Sequence, residues 1–252
     1  MLKTRVMPCL LLRNGALVKT IKFDKFNYIG DPINAVRIYN EKEVDELVFL
    51  DIRATLEKRK PDFKLVSEIA SECFMPLAYG GGVTAIDDLK ELFKIGVEKI
   101  VINSYAAENS DFIKEAANIF GSQSIIVSID VKKNILGIYQ VYTNSGKKKT
   151  NFHPVEYAIM MQEKGAGEIF LTSMDKDGTW EGYDIALIKQ ITQTISIPVI
   201  ASGGAGNIDD FFKAVQIGGA SAVAAGSMFV YQGKDLGVLI KFPPKSELKK
   251  LP

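Results

Sequence analysis

The sequence predicts a single (β/α)8 barrel, a TIM barrel, over residues 1–252, and three observations carry that expectation. Eight short apolar runs alternate with helix-length amphipathic stretches from end to end. Glycine-rich turns follow the third and the seventh run. One half of the chain also resembles the other at a fixed spacing, as expected of a repeated architecture. A doubly wound sheet would have fewer strands and a glycine fingerprint after the first, which is absent here.

In chain order the expected strands are TRVMPCLLL, ELVFLDI, PLAYG, KIVINS, SIIVSIDV, EIFLTS, PVIAS and AVAAG. Each is short and apolar on both faces, as strands of a parallel sheet covered by helices are. Between them INAVRIYNEK, DFKLVSEIASEC, AIDDLKELFKIG, DFIKEAANIF, PVEYAIMMQEKG, DIALIKQITQT and IDDFFKAVQIG have helical spacing. The connection 17–32, carrying Lys19, Phe23 and Gly30, is long for a βα loop and reads as a lid. His153, just before a helix, reads as a loop or cap residue rather than a catalyst.

The repeat is specific. MPLAYGGGVTAIDDLKELFKIG (75–96) aligns without a gap to IPVIASGGAGNIDDFFKAVQIG (197–218), matching Pro76 with Pro198, Gly81 with Gly203, Asp87 with Asp209 and Gly96 with Gly218. DELVFLD (45–51) lies over GEIFLTS (167–173) at the same spacing of 122 residues. Two half-barrels follow, about 1–121 and 122–240, with an irregular tail over 241–252 in which Pro243 and Pro244 break the eighth helix. Aligning the first strands of the halves places Leu11 over Asp130, both at the strand end where barrel active sites form.

Composition excludes several classes. The hydrophobic fraction of 47% is ordinary, and no run is long enough to span a bilayer. The start MLKTRVMP has no secretory apolar region, so the protein is expected in the cytoplasm. Cys9 and Cys73 are too few for a disulfide framework or a zinc site and read as buried thiols. With a single histidine, His153, no metal centre is expected, and nothing points to a cofactor. A net charge of +1 gives no reason to expect nucleic-acid or membrane partners, and SGKKK (145–149) reads as a solvated hairpin tip.

Three residue sets carry chemistry. GGGV (80–83) and SGGAGN (202–207) each open a helix, and each is followed by a strand ending in a small polar residue, in INS (102–104) and AGS (225–227). Such turns either bind phosphate on backbone N–H groups or merely tighten the chain. The candidate phosphate residues are Gly82, Asn103, Ser104, Ser202, Gly203, Gly204, Gly226 and Ser227, with Gly178 of DKDGT. The second set is the strand-end carboxylates Asp51, Asp130, Asp175 and Asp177, which either do acid–base work or order loops. Asp130, in the most apolar strand, favours chemistry. The third set is Arg5, Glu46, Lys99 and Glu168 at strand starts, where residue type alone favours solvated ends but alternating signs allow a ring of ion pairs.

Taken together, the PC-L and VK segments near the start, DELVFLDI, YGGG, GSQ followed by ID, GAGEI, LTS, DGT, GYD and ASGGAG resemble the cyclase subunit of imidazole glycerol phosphate synthase over residues 3–231. The resemblance implies a barrel that takes ammonia from a glutaminase subunit docked on its N-terminal face and uses it at the mouth on a bisphosphorylated nucleotide. It assigns Lys19, Asp51, Asp130, Asp177 and Thr179 to the active site, and Gly82, Asn103, Ser202, Gly204 and Ser227 to two phosphate sites. It also assigns Arg5, Glu46, Lys99 and Glu168 to a charged gate. The departure is Leu11, where that family carries its second catalytic aspartate. PCLLL, VKT, YIGDPINAV, NEKEVDELVFLDI and ASECFMPL resemble a side branch of the family that serves bacterial surface-sugar (lipopolysaccharide O-antigen) modification. That likeness implies an ammonia-conducting subunit working with an ATP-dependent sugar amidotransferase that turns an acetamido group into an acetamidino group. A working cyclase-lyase of histidine biosynthesis and an inert glutaminase-activating scaffold are the alternatives.

Overall fold

A computed structural model describes residues 4–249 and 251. The flanking residues 1–3, 250 and 252, including the outermost part of the expected tail, lie outside the described residues. Eight parallel strands close on themselves: β1 (Arg5–Arg13), β2 (Leu47–Asp51), β3 (Leu77–Gly80), β4 (Lys99–Ile102), β5 (Ile125–Lys133), β6 (Glu168–Ser173), β7 (Val199–Ser202) and β8 (Ala222–Ala225). Closure comes from β8 pairing with β1, Arg5 opposite Ala222, so no barrel strand is left as an edge. All eight were expected.

The outer wall is α1 (Pro32–Lys42), α2 (Phe63–Glu72), α3 (Ile86–Ile95), α4 (Asp111–Phe120), α5 (Pro154–Glu163), α6 (Ile185–Thr192) and α7 (Ile208–Phe212), the last continuing as a π turn over Lys213–Ile217. Local chemistry sets their starts. Asp31, Asp62 and Asp184 each accept a bond from the backbone N–H three residues on, at 2.9, 3.1 and 3.1 Å. His153 caps α5 through Nδ1, which accepts from Val155 N at 3.4 Å, as its placement implied.

Two cores result. One lies between sheet and helices. The other fills the barrel axis with Met7, Val48, Ala78, Val101, Ile126, Phe170, Ile200, Ala222 and Ala224, none more than 3% exposed. Leu11 and Leu50, neighbours in register, cap this axial core at the mouth.

The long loops are more ordered than expected. The lid is an antiparallel hairpin, Ala16–Ile21 against Lys25–Gly30, continuing β1. A second hairpin continues β5 through Tyr139–Thr143, with Asp130 opposite Tyr142, and Lys148–Lys149 adds a short third strand. The described tail packs on the wall: Leu248 and Leu251 are buried, and Lys245–Leu248 makes one helical turn whose Lys245 pairs with Glu43 at the end of α1. Cys9 is buried as expected, whereas Cys73 is half-buried because it closes α2 at the surface. No helix among the described residues is long and apolar enough to cross a membrane.

Candidate active site at the barrel mouth

The C-terminal strand ends and their loops enclose a cavity of about 650 Å³. It is lined by Leu11, Lys19, Asp51, Asp130 and Asp177, and by every candidate phosphate residue. Thr179 is not among the lining residues; its hydroxyl donates to Lys176 O at 2.8 Å and shapes the loop. Asp175 also works locally, accepting from Lys133 N at 2.8 Å.

Asp130 sits at the inner end of the cavity. Its carboxylate accepts from Asn103 Nδ2 at 3.2 Å and faces the Ser128 hydroxyl at 3.5 Å. Burial raises its pKa to about 7, against the weak Ser128 bond and with a contribution from the Asp177 charge. A carboxyl half-protonated near neutrality suits proton transfer. Because folding favours the protonated form, its cost is absent below about pH 4 and grows as pH rises through about 7. Asp130→Asn is therefore expected to stabilise the fold by up to about 4 kcal/mol at pH 8 and to have little effect at pH 4, a contrast that urea unfolding at the two pH values measures.

On β1, diametrically across the eight-strand ring, the corresponding inward side chain is Leu11. It offers no proton and no hydrogen bond, so the mouth is one-sided.

Lys19 and Asp177 form a buried pair, Nζ to Oδ1 at 2.7 Å, with side chains 6% and 12% exposed. Lys19 also donates to Thr20 O at 2.7 Å, and the Thr20 hydroxyl donates to Asp177 Oδ2 at 2.8 Å. Lys22 N donates to Asp177 O at 2.9 Å, so this network pins the lid hairpin to the loop after β6. Asp51 is less available than expected. Arg59 Nη2 donates to both its oxygens at 2.9 and 2.8 Å, and Arg53 N and Ala54 N bond Oδ1.

Close packing accounts for the glycine turns, the second of the two readings offered by the sequence. A side chain at Gly82 would meet the Arg59 carbonyl at 2.5 Å, and one at Gly204 would collide with the Gly182 carbonyl, so packing alone demands glycine. The adjoining helix starts are occupied by their own acids. Asp88 accepts from Thr84 N and Ala85 N, and Asp210 accepts from Gly206 N and Asn207 N. Asn103 spends its amide on Ser128 O and Asp130, and Ser104 accepts from Asn144 N at 2.9 Å. An anion would therefore be met by the turns and serines of β7 and β8 more readily than by the β4 side.

At the opposite, N-terminal end, Arg5, Glu46, Lys99 and Glu168 close a ring. Arg5 reaches Glu46 at 2.6 Å and also pairs with Glu168, while Lys99 reaches Glu168 at 2.7 Å and Glu46 at 3.1 Å. Burial opposes charge on Glu168, but bonds to Arg5 and Lys99 outweigh it and hold the carboxyl below its ordinary range. Glu46 is 2% exposed, so Arg5→Met is expected to cost about 3 kcal/mol in chemical denaturation by leaving two acids to share one lysine.

Sequence reasoning missed Thr20, Arg59, Ser128 and Thr172 as parts of the mouth. Ser128 lies two residues before Asp130 and Thr172 four after Glu168, so the strand period of two could have found them. Nothing in the sequence marks Arg59 as the partner of Asp51.

Comparison with known proteins agrees with this geometry. Residues 5–235 match the family described as histidine biosynthesis protein. A Pseudomonas aeruginosa protein named for imidazole glycerol phosphate synthase subunit hisF2 is 46% identical over 98% of this chain and 99% of its own. One from Vibrio vulnificus, named for subunit hisF3, is 44% identical over 99% of this chain and 96% of its own. The HisF subunit of Petrotoga mobilis is 45% identical over 96% of this chain and 97% of its own. The closed barrel, the family match over residues 5–235 and full-length identity of this order identify the chain as a member of the histidine-biosynthesis protein family, of the type of the HisF cyclase subunit of imidazole glycerol phosphate synthase.

Proposed function

We propose that this barrel takes ammonia from a glutaminase subunit at its ion-paired floor and delivers it at the mouth for amidine formation on a bacterial surface-polysaccharide sugar. A separate ATP-using amidotransferase activates the acetamido oxygen, ammonia attacks the carbon, and the oxygen leaves as phosphate, giving the acetamidino group. The observation that carries this reading is Leu11 across from Asp130. Ring closure by the cyclase needs a second proton-transfer group there, and an isobutyl group cannot supply one. The rest of the barrel still suits a conduit. The axial core between floor ring and mouth is apolar throughout, which admits neutral ammonia far more readily than ammonium.

In this reading Asp130 is the remaining acid–base group, while Lys19, Asp177 and Asp51 hold the mouth loops in place. Gly82, Asn103, Ser104, Gly178, Ser202, Gly203, Gly204, Gly226 and Ser227 shape a pocket for a phosphorylated ligand. The second reading, a cyclase-lyase of histidine biosynthesis, draws on the mouth cavity that Asp130 shares with Lys19 and Asp177. Supplying the purified chain with ammonium and the bisphosphorylated ribulosyl aminoimidazole substrate decides between them. The relay reading expects turnover lower by a factor on the order of 10² or more than in a cyclase bearing both aspartates; comparable turnover would overturn it.

A further inference from the structure

Ile135, the most exposed large apolar side chain among the described residues, stands with two further exposed ones, Leu136 and Ile138, at the end of the β5 hairpin. Ile135 is fully exposed, Leu136 77% and Ile138 49%. The turn that presents them is built: Asn134 Oδ1 accepts from Leu136 N at 2.9 Å and Ile138 N at 3.0 Å, and Gly137 N donates to Asn134 O at 2.9 Å. An Asx turn of this kind holds the backbone while its side chains point away from the protein. Three large apolar groups on a fixed convex tip are costly in water and mark an interaction surface.

Charge sharpens the description. Residues 131–152 contain five lysines and no acid, in a chain whose net charge is +1. Lys133 lies over the Tyr139 ring at 4.7 Å and approaches Asp184 at 3.5 Å, while Lys147, Lys148 and Lys149 are exposed. A complementary surface would be an apolar socket with an acidic rim.

Position identifies the occupant. The hairpin is a direct continuation of the strand bearing Ser128 and Asp130, so its tip is rigidly referenced to the inner end of the mouth cavity. Ammonia released into neutral water is captured as ammonium and ceases to be a nucleophile, so a conduit works only if the consuming enzyme covers the exit. We infer that residues 134–138 are the docking post for the ammonia-consuming amidotransferase, which presents an acid-rimmed apolar socket to the Ile135–Leu136–Ile138 tip. The inference rests on the relay reading above.

The test uses the purified chain in complex with its glutaminase, titrated against the ATP-using sugar amidotransferase of the same organism. Ile135→Asp with Leu136→Asp is expected to weaken that binding by roughly 30-fold or more, the scale of losing central interface side chains. Lys132→Glu should weaken it several-fold and flatten its salt dependence between about 0.05 and 0.5 M. Melting temperature and glutaminase binding at the floor should not change. If the wild-type chain binds the amidotransferase and the double variant binds within about threefold of it, the docking post is wrong and the relay reading stands. If wild-type chain and amidotransferase do not associate at all, the relay reading falls and takes this inference with it. If instead the tip drives pelleting with phosphatidylglycerol vesicles while amidotransferase binding is unchanged in the double variant, the tip serves a lipid surface and the inference is overturned.

Discussion

Leu11→Asp is expected to raise ammonia-dependent turnover of the bisphosphorylated aminoimidazole substrate by about 10²–10⁴, the range of a positioned acid–base group. The reasoning is geometric. Leu11 occupies the inward position at the end of β1, lines the same cavity as Asp130, and stands across the ring from it. The Lys19–Asp177 pair and the two glycine turns line the same cavity. The exchange also carries a cost. Leu11 packs on the axial core beside Leu50, so a carboxylate there loses apolar contact and adds like charge facing Asp130. The variant should thus be less stable than the parent, increasingly so above neutral pH, while being more active. Steady-state kinetics with ammonium as nitrogen donor measures the gain. An unchanged rate would mean that more than one proton-transfer group separates this barrel from a cyclase.

Lys19→Met should be the most destabilising single change at the mouth, by about 3–5 kcal/mol, because it strands Asp177 as a buried charge. For a chain of this size that corresponds to roughly 10 °C in melting temperature. The Thr20 hydroxyl still bonds Asp177, which moves the expectation toward the lower end. Removing both partners together, as Lys19→Met with Asp177→Leu, should recover most of the loss, since a buried ion pair is worth little relative to apolar side chains of similar size. Thermal unfolding of the three variants separates these effects. The single variant should also loosen the lid, which is tied to the loop after β6 through Asp177. Faster proteolysis within 16–30 would report that.

The fold was legible because barrel strands are buried on both faces and the helices between them are amphipathic, so hydrophobic period alone separates them. The equivalent roles of Asp88 and Asp210, each bonding the two N–H groups that precede its helix, show why the spacing of 122 residues was readable. The hairpin tip at 145–149 was legible, whereas the lid hairpin escaped notice because KFNYIG is a largely exposed strand held by pairing with ALVKTI rather than by burial. Charge placement was harder still. Arg5, Glu46, Lys99 and Glu168 are remote in sequence, and only strand stagger brings their charges within bonding distance. Arg59 reaches Asp51 across a loop with no periodicity, so no pattern could have paired them.

Nitrogen-15 tracing tests the relay most directly. The assembled barrel, glutaminase and amidotransferase would be given amide-labelled glutamine, ATP and the acetamido sugar in the presence of excess unlabelled ammonium. Passage along the axial core predicts that the new amidine nitrogen is predominantly labelled, and that a barrel with its floor ring opened by Arg5→Met shifts the product toward the unlabelled pool. An amidine nitrogen matching the isotopic composition of bulk ammonium from the outset would contradict the account.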